Sequence, residues 1–482
     1  MAGPGSGPAR VRIAPSPTGY FHVGTARTAL FNWLVARQSE GSFLVRIEDT
    51  DAERNREEWV EQILDALRWL GLGWDGEPVR QSQRGALYQE AVDALVGQGA
   101  LYWCSCTREE VEARRLPGSA PGYDGYCRER GLGPGSGRAL RFAVPREGAT
   151  AFDDVVRGPV RFEHSSIEDF VVVRSSGQVL FILANTVDDM EMGITHVIRG
   201  EEHLPNTPKA VLLWEALSRA GRLGRPPLPT FAHLPLLVNE RRQKLSKRRD
   251  PVALEQYREE GYLPQAMVNY LGLLGWAPRD GRERLELDEM VAEFKLEDVN
   301  SSPAYFDVAK LRHFNAERIR AMDTAAFVRA CRPFLERAPW GPDAFDEAAF
   351  ERLAPLVQER VETLGQVPGL VDFVFLDRPE IDEASWAKAV ASDPGAAEAL
   401  AQAAAAYRSC PWTAEEIKEA TRRLAERAGR KLARFQAPLR VAVTGRSVGP
   451  PLFESMEVLG RGRTIERLEA ALDRIGGGQR PR

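Results

Sequence analysis

The sequence predicts an α/β protein: a domain built on a parallel sheet, a segment inserted into that domain, and an all-α region behind it. Three observations predict this. Short apolar runs alternate with helical patterns over residues 10–100 and 175–240, the sign of βαβ units. Between Leu101 and Arg174 the alternation breaks into short strands, cysteines and a glycine-rich loop, Gly131-Leu132-Gly133-Pro134-Gly135-Ser136-Gly137. Beyond about Asp307 the chain reads as helix, with alanine-rich stretches such as Ala401 to Tyr407. A length of 482 residues calls for more than one core.

Residues 1–9 read as a disordered tail, because Met1-Ala2-Gly3-Pro4-Gly5-Ser6-Gly7 has no apolar core of a secretory signal. Val11-Arg12-Ile13-Ala14 reads as the first strand, and Pro15-Ser16-Pro17-Thr18-Gly19 as the turn behind it. A helix follows over Thr25 to Ala36, with Ala29, Leu30, Trp33 and Leu34 spaced for one buried face. Phe43 to Ile47 is the second strand, and Glu57 to Leu70 an amphipathic helix. After the inserted segment, Ile194 to Arg199 and Phe231 to Val238 read as strands on either side of a helix over Thr207 to Leu217. Residues 241–310 read as a polar loop with further helices, and 311–482 as the helical region; no internal repeat is present.

Composition excludes little. The chain is 43% hydrophobic and 28% charged, ordinary for a globular protein, and no apolar stretch reaches the ~20 residues of a membrane helix. Five cysteines, three of them close together, do not make a disulfide framework, so a reducing cytoplasm is expected. A net charge of -5 does not advertise a nucleic-acid binder, but a phosphate backbone is met by local clusters. Arg241-Arg242-Gln243-Lys244 with Lys247-Arg248-Arg249 forms one cluster. Arg422-Arg423, Arg427, Arg430-Lys431 and Arg434 form another, which is either a phosphate-binding face or a solvated helix.

Two segments carry chemistry. The first strand and its turn lead into Phe21-His22-Val23-Gly24-Thr25, where a helix opens. Backbone N–H groups at such a start attract phosphate, Gly19 and Gly24 permit close approach, and His22 can donate from an imidazole nitrogen. The second is Lys244-Leu245-Ser246-Lys247-Arg248, two lysines three apart in a polar loop, suited to neutralising charge on transferring phosphate oxygens. No Gly-x-x-x-x-Gly-Lys-Ser/Thr loop is present, so P-loop chemistry is unsupported.

Ala14-Pro15-Ser16-Pro17-Thr18-Gly19 with His22-Val23-Gly24-Thr25-Ala26-Arg27-Thr28-Ala29-Leu30 resembles the first signature of class I glutamyl-tRNA synthetases. Lys244-Leu245-Ser246-Lys247-Arg248 resembles their second. Between them, in order, stand Arg46-Ile47-Glu48-Asp49-Thr50-Asp51 and Val197-Ile198-Arg199-Gly200-Glu201-Glu202-His203, and Gly449-Pro450-Pro451-Leu452-Phe453-Glu454-Ser455-Met456 matches near the end. The resemblance implies a Rossmann-like catalytic domain, an inserted acceptor-stem-binding subdomain over 101–174, and a helical anticodon-binding domain. It implies a glutamate–tRNA ligase that uses ATP with Mg²⁺, takes L-glutamate and tRNA-Glu, and works as a cytoplasmic monomer. The alternatives are a glutamyl-queuosine tRNA synthetase-like enzyme, a glutaminyl-tRNA synthetase and a non-catalytic tRNA-binding relative. The first matches only the catalytic part, the second implies C-terminal β-barrels, and the third need not keep the histidine and two lysines.

By resemblance, His22, Lys244 and Lys247 are catalytic, and His22, Gly24, Thr25, Glu202, Leu237 and Lys247 hold ATP. Arg12, Ser16, Glu48, Phe181, Asn185 and Arg199 hold glutamate, with Arg199 or Arg12 as the bidentate partner of the side-chain carboxylate and Glu48 accepting from the ammonium. Phe181 stands where the family commonly has tyrosine, so it is expected as a wall and not as a hydrogen-bonding group. Cys104, Cys106 and Cys127 offer three sulfurs for a structural zinc, with Tyr123 or Glu129 as the fourth ligand.

Overall fold

The N-terminal signature is built as a strand, a turn and a helix. Strand β1 (Arg10–Ile13) runs into the proline turn, and α1 (Val23–Gln38) starts where His22 caps it. Next come β2 (Ser42–Ile47), α2 (Glu57–Trp69), β3 (Val79–Arg80) and α3 (Gly85–Gly97). The computed structural model describes residues 7–51, 53–114, 122–221, 223–246, 250–341 and 344–477. The chain divides into two units: Met1–Gln256 with Pro264–Val308, and Tyr257–Leu263 with Ala309–Arg482.

In the first unit β1, β2 and β3 form a parallel sheet, with Arg10 opposite Ser42 and Ile13 opposite Val45. Then follow β4 (Leu101–Cys104), α4 (Arg108–Ala113), β5 (Ala139–Phe142), β6 (Ala149–Asp154), β7 (Gly158–Glu163), β8 (Val171–Val173), α5 (Phe181–Glu191), β9 (His196–Gly200), α6 (Thr207–Ala220), β10 (Thr230–Leu234) and β11 (Leu237–Val238). Strands β9 and β10 pair in parallel, and the Thr195 amide donates to the Arg10 carbonyl at 2.9 Å, setting them beside β1. The chain continues through α7 (Leu254–Glu259), α8 (Pro264–Gly272), α9 (Leu287–Glu293) and β12 (Ala304–Tyr305), which pairs with β11.

Two expectations change here. Helix α1 is buried on nearly every side, Ala26, Phe31 and Ala36 included, because α8 and α9 cover the face turned away from the sheet. The run from Phe231 to Val238 is two strands, since Pro235 interrupts it and has no N–H for a ladder. The inserted segment also divides. Strands β4, β5 and β8 form an antiparallel sheet whose Leu140 and Phe142 share a core with Tyr88, Leu183 and Trp214 of α3, α5 and α6. The β6–β7 hairpin leaves that sheet and meets β10 at Phe231–Asp154.

The second unit is helical, with no strand among its described residues: α10 (Val308–Ala321), α11 (Thr324–Leu335), α12 (Glu347–Gln358), α13 (Val367–Phe375), α14 (Glu383–Trp386), α15 (Ala396–Tyr407), α16 (Ala414–Arg427), α17 (Leu432–Thr444), α18 (Leu452–Leu459) and α19 (Arg461–Gly477). Side chains of Asp323, Asp346 and Thr413 cap α11, α12 and α16, satisfying amides that helix geometry leaves open. One core gathers Phe327, Phe350 and Phe373, and another Leu400, Leu439, Met456 and Leu468. No helix among the described residues is long and apolar enough to cross a membrane.

Candidate active site

Ligands of open α/β sheets sit beyond the carboxyl ends of the strands. There the ends of β1, β9 and β10, the start of α1 and the start of α5 enclose a cavity of about 540 Å³. Arg12, Ser16, His22, Gly24, Thr25, Glu48, Phe181, Asn185, Arg199, Glu202, Leu237 and Lys244 all line it. Lys247 lies outside the described residues.

His22 is set by its own helix. Its Nδ1 accepts the Gly24 N–H at 2.9 Å, which assigns the ring proton of the neutral imidazole to Nε2. A Cβ on Gly24 would stand 3.2 Å from that Nδ1, so glycine keeps this start open. The lysine loop returns to the same place. Val238 and Lys244 form a bridge, the Asn239 side chain accepts from the Arg241 and Gln243 amides, and His22 bridges to Ala253. Lys244 Nζ lies 3.8 Å from Glu202, so this lysine reaches across the cavity wall.

The floor is a buried charge network. Arg12 grips Asp189 with two nitrogens at 2.8 and 3.1 Å, and Arg46 reaches the same carboxylate at 2.6 Å. Asn185 accepts from Arg46 at 2.6 Å and donates to Glu48 at 3.0 Å, so its amide orientation is dictated from both ends. Asp188, next along α5, accepts from Gln81, Arg84 and Tyr88. Burial raises Asp189 and Glu48 alike, and their partners decide the result. Asp189 is held at about 2 by Arg12 and Arg46 against the cost of burial. For Glu48 burial wins over Arg46 and Arg12, and its carboxyl is pushed up to about 7.

Arg199 differs from both neighbouring arginines. It donates from one terminal nitrogen to the Thr207 hydroxyl at 2.8 Å and from Nε to His233 at 3.4 Å. Among the described residues no carboxylate pairs with it. Burial, then the nearby Arg12, lower it to about 10. It is thus a cavity-lining guanidinium that, among the described residues, makes direct contacts only to neutral groups. Phe181 forms a wall, its ring 5.8 Å from that of His203.

Several residues here were given no site role in the sequence: Asp188, Asp189, Thr207 and His233, with Arg46 and Arg27 standing there only inside the quoted motifs. Arg27 is buried in α1 and donates to the carbonyls of Leu274 and Pro235, fixing the backbone between β10 and β11. One signal was available. Arg46 interrupts the apolar strand Phe43-Leu44-Val45-Arg46-Ile47, and Asp188-Asp189 lies within a buried helix. Buried charges of opposite sign need one another.

The cysteine cluster lies at the end of β4, in the turn between β4 and α4, and in the segment after α4. The ligand atoms of Cys104, Cys106 and Cys127 are all within 4.8 Å of one another, the one such group among the described residues. The Tyr123 hydroxyl is 3.5 Å from Cys104 Sγ and 3.9 Å from Cys106 Sγ. Burial pushes the Cys127 thiol up, yet hydrogen bonds from Tyr123, the Ser105 backbone and the other two thiols bring it down to about 6. Three sulfurs this close, one of them inclined to ionise, fit the tetrahedral site that zinc requires. Glu129 is exposed and paired with Arg146 instead, which leaves Tyr123 beside the sulfurs.

A family model described as the catalytic domain of class I tRNA synthetases (E and Q) matches residues 8–313, and an anticodon-binding-domain model matches 326–472. The chain is 57% identical over 477 residues to a glutamate–tRNA ligase of Thermobifida fusca, covering 97% of this chain and 98% of that protein. It is 54% identical over 479 residues to one of Frankia casuarinae, covering 98% and 100%. A crystal structure of a glutamate tRNA ligase from Elizabethkingia meningosepticum in complex with its amino acid superposes with a TM-score of 0.80 at 32% identity, covering 97% of this chain and 99% of that one.

Proposed function

The chain belongs to the class I glutamyl-tRNA synthetase family, and we propose that its cavity activates L-glutamate with ATP and passes the glutamyl group to tRNA-Glu. The observation that carries this reading is one cavity lined by a phosphate-suited helix start, a lysine and an unpaired guanidinium. Acyl activation asks the protein for positioning and for stabilisation of phosphate charge. His22 and the Thr25 amide meet the ATP phosphates, which arrive with Mg²⁺, and Gly24, whose own amide is held by His22 Nδ1, keeps the approach open. Lys244, with Lys247, neutralises charge as the glutamate carboxylate attacks the α-phosphate and pyrophosphate leaves. Glu202 and Leu237 bound the adenosine side.

For the amino acid, Arg199 is the bidentate partner of the side-chain carboxylate, because Asp189 already matches the charge of Arg12 whereas Arg199 donates only to neutral acceptors. Ionised Glu48 accepts from the ammonium, Ser16 and Asn185 flank it, and Phe181 closes the wall. The residues after 308 supply the anticodon-binding region, and the β4–β5–β8 sheet with the β6–β7 hairpin the acceptor-stem region. Cys104, Cys106, Cys127 and Tyr123 hold a structural zinc that ties α4 to the sheet. The reduced cysteines suit the cytoplasm, and the working form is a monomer.

The helical second unit supports a glutamyl over a glutaminyl or a glutamyl-queuosine enzyme, the former expected with β-barrels and the latter without this unit. Purified protein, ATP, labelled glutamate or glutamine, and separated tRNA-Glu and tRNA-Gln test it. Alkali-labile glutamate on tRNA-Glu is expected. Charging with glutamine alone, or label found only on a modified base, overturns the reading.

A further inference from the structure

Behind Arg199 lies a chain of polar groups that never touches the cavity. Its Nε and one terminal nitrogen are engaged by His233 and Thr207, and the Thr207 hydroxyl is 2.9 Å from His233 Nε2. His233 Nδ1 in turn lies 2.6 Å from Asp154 Oδ2. Both residues of that pair are wholly buried. Arg199 has no acceptor, so Thr207 and His233 Nε2 both accept from it, and the Thr207 hydroxyl proton has two acceptors in reach, His233 Nε2 at 2.9 Å and the His203 carbonyl at 3.4 Å. The single imidazole proton then sits on Nδ1, and the Asp154 carboxylate holds it there. Burial lowers the His233 pKa in spite of Asp154, so the ring stays neutral and keeps its acceptor.

Asp154 ends β6, and its other oxygen, Oδ1, accepts from the amides of Val156, Arg157 and His233. Arg157 in the same turn pairs with Glu201 and donates to the His233 carbonyl. The β6–β7 turn, part of the inserted segment, is thereby locked onto β10 behind the arginine.

Building on the proposed glutamate pocket, we propose that Asp154 is a positioning residue that, through the tautomer of His233 and the hydroxyl of Thr207, aims the Arg199 guanidinium at the substrate carboxylate. Arg199 has no carboxylate partner of its own to fix its planar fork, so neutral acceptors behind it do so. They leave its charge for the substrate, where an acidic partner would have neutralised it.

Asp154→Asn separates this role from simple folding. The asparagine keeps Oδ1 and the three amide bonds that hold the turn, but places an NH₂ donor against His233 Nδ1. The imidazole proton moves to Nε2, which becomes a donor facing the Arg199 Nε–H. Thr207→Val removes the hydroxyl link at constant shape, and Thr207→Ser restores it. In aminoacylation assays Asp154→Asn and Thr207→Val are expected to raise KM for glutamate about tenfold with KM for ATP unchanged, while Thr207→Ser stays near the parent. Two folded variants with parental KM for glutamate overturn the proposal, as does an equal rise for ATP and glutamate or a failure of Thr207→Ser to recover. A parent protein that charges no glutamate at all would sink the underlying functional reading instead, and the two failures are told apart by that control.

Discussion

Two arginines, one in each unit, carry their charge in opposite ways. In the first, Arg46 is completely buried and lies within reach of Asp188, Asp189 and Glu48, with Asn185 bonded to it. In the second, Arg422 on α16 is more than half exposed and bonds Glu419, one turn away, with two hydrogen bonds of 3.0 Å. The geometries are equally good, and the consequences differ. Water screens the exposed pair and would solvate either partner alone, whereas each buried charge depends on the others for all of its stabilisation. Burial presses Arg46 down, but Asp189, Glu48 and Asp188 more than offset this and hold it above the ordinary arginine range. The unit that must bind a charged substrate has built its floor from charges, and Arg199 is the member that no carboxylate among the described residues touches.

The largest expected effect breaks that floor. Arg46→Met leaves three buried carboxylates short of a cation and should lower stability by about 3–5 kcal/mol, read from urea unfolding beside the parent. A loss under about 1 kcal/mol would mean that the carboxylates are protonated or solvated, and the contrast between the units would fail. Next comes the lysine loop, whose Lys244 lines the cavity. Lys247→Ala should slow adenylate formation by about 10²-fold or more, measured by pyrophosphate exchange, with tRNA binding retained. Equal loss of both would assign the loop a folding role.

A smaller effect follows from Glu48, for which burial outweighs Arg46 and Arg12. Its carboxyl titrates near 7, so below that pH the free protein offers the substrate ammonium a neutral group, and above it a carboxylate. The KM for glutamate should therefore fall about tenfold from pH 6 to pH 8, and Glu48→Gln should flatten the profile. A pH-independent KM in the parent would remove Glu48 from the ammonium site.

How much of this was legible in the sequence depends on how far apart the partners lie. His22, Gly24 and Thr25 are neighbours along the chain, as are Lys244 and Leu245, so a local motif announces them. The alternation of strands and helices likewise announced the parallel sheets and the helical second unit. The burial of α1 on its second face was not visible, because α8 and α9 arrive from more than 220 residues later. The choice between Arg12 and Arg199 was not visible either. It is made by Asp189, 177 residues from Arg12, which claims one guanidinium and leaves the other. Asp154 and His233, 79 residues apart, belong to segments that sequence alone assigns to different bodies. Long-range polar pairing of this kind leaves no periodicity behind. Its only local trace is a charged residue in an apolar run.

The smallest expected effect concerns the basic cluster of α16 and the turn after it, which the structure divides. Arg430 is largely buried, pairs with Asp393 and donates to the Gly395 carbonyl, so it holds the fold. Arg422 and Arg423 stay on the surface and share Glu419. Arg422→Ala should change stability by less than about 0.5 kcal/mol, the usual worth of an exposed pair three residues apart. If this face meets a phosphate backbone, the same variant raises KM for tRNA severalfold at low salt, and the difference fades as salt is added. A KM that ignores both the substitution and the salt marks the cluster as a solvated helix face. A stability loss like that of Arg46→Met would show instead that exposure is no guide to what an ion pair contributes here.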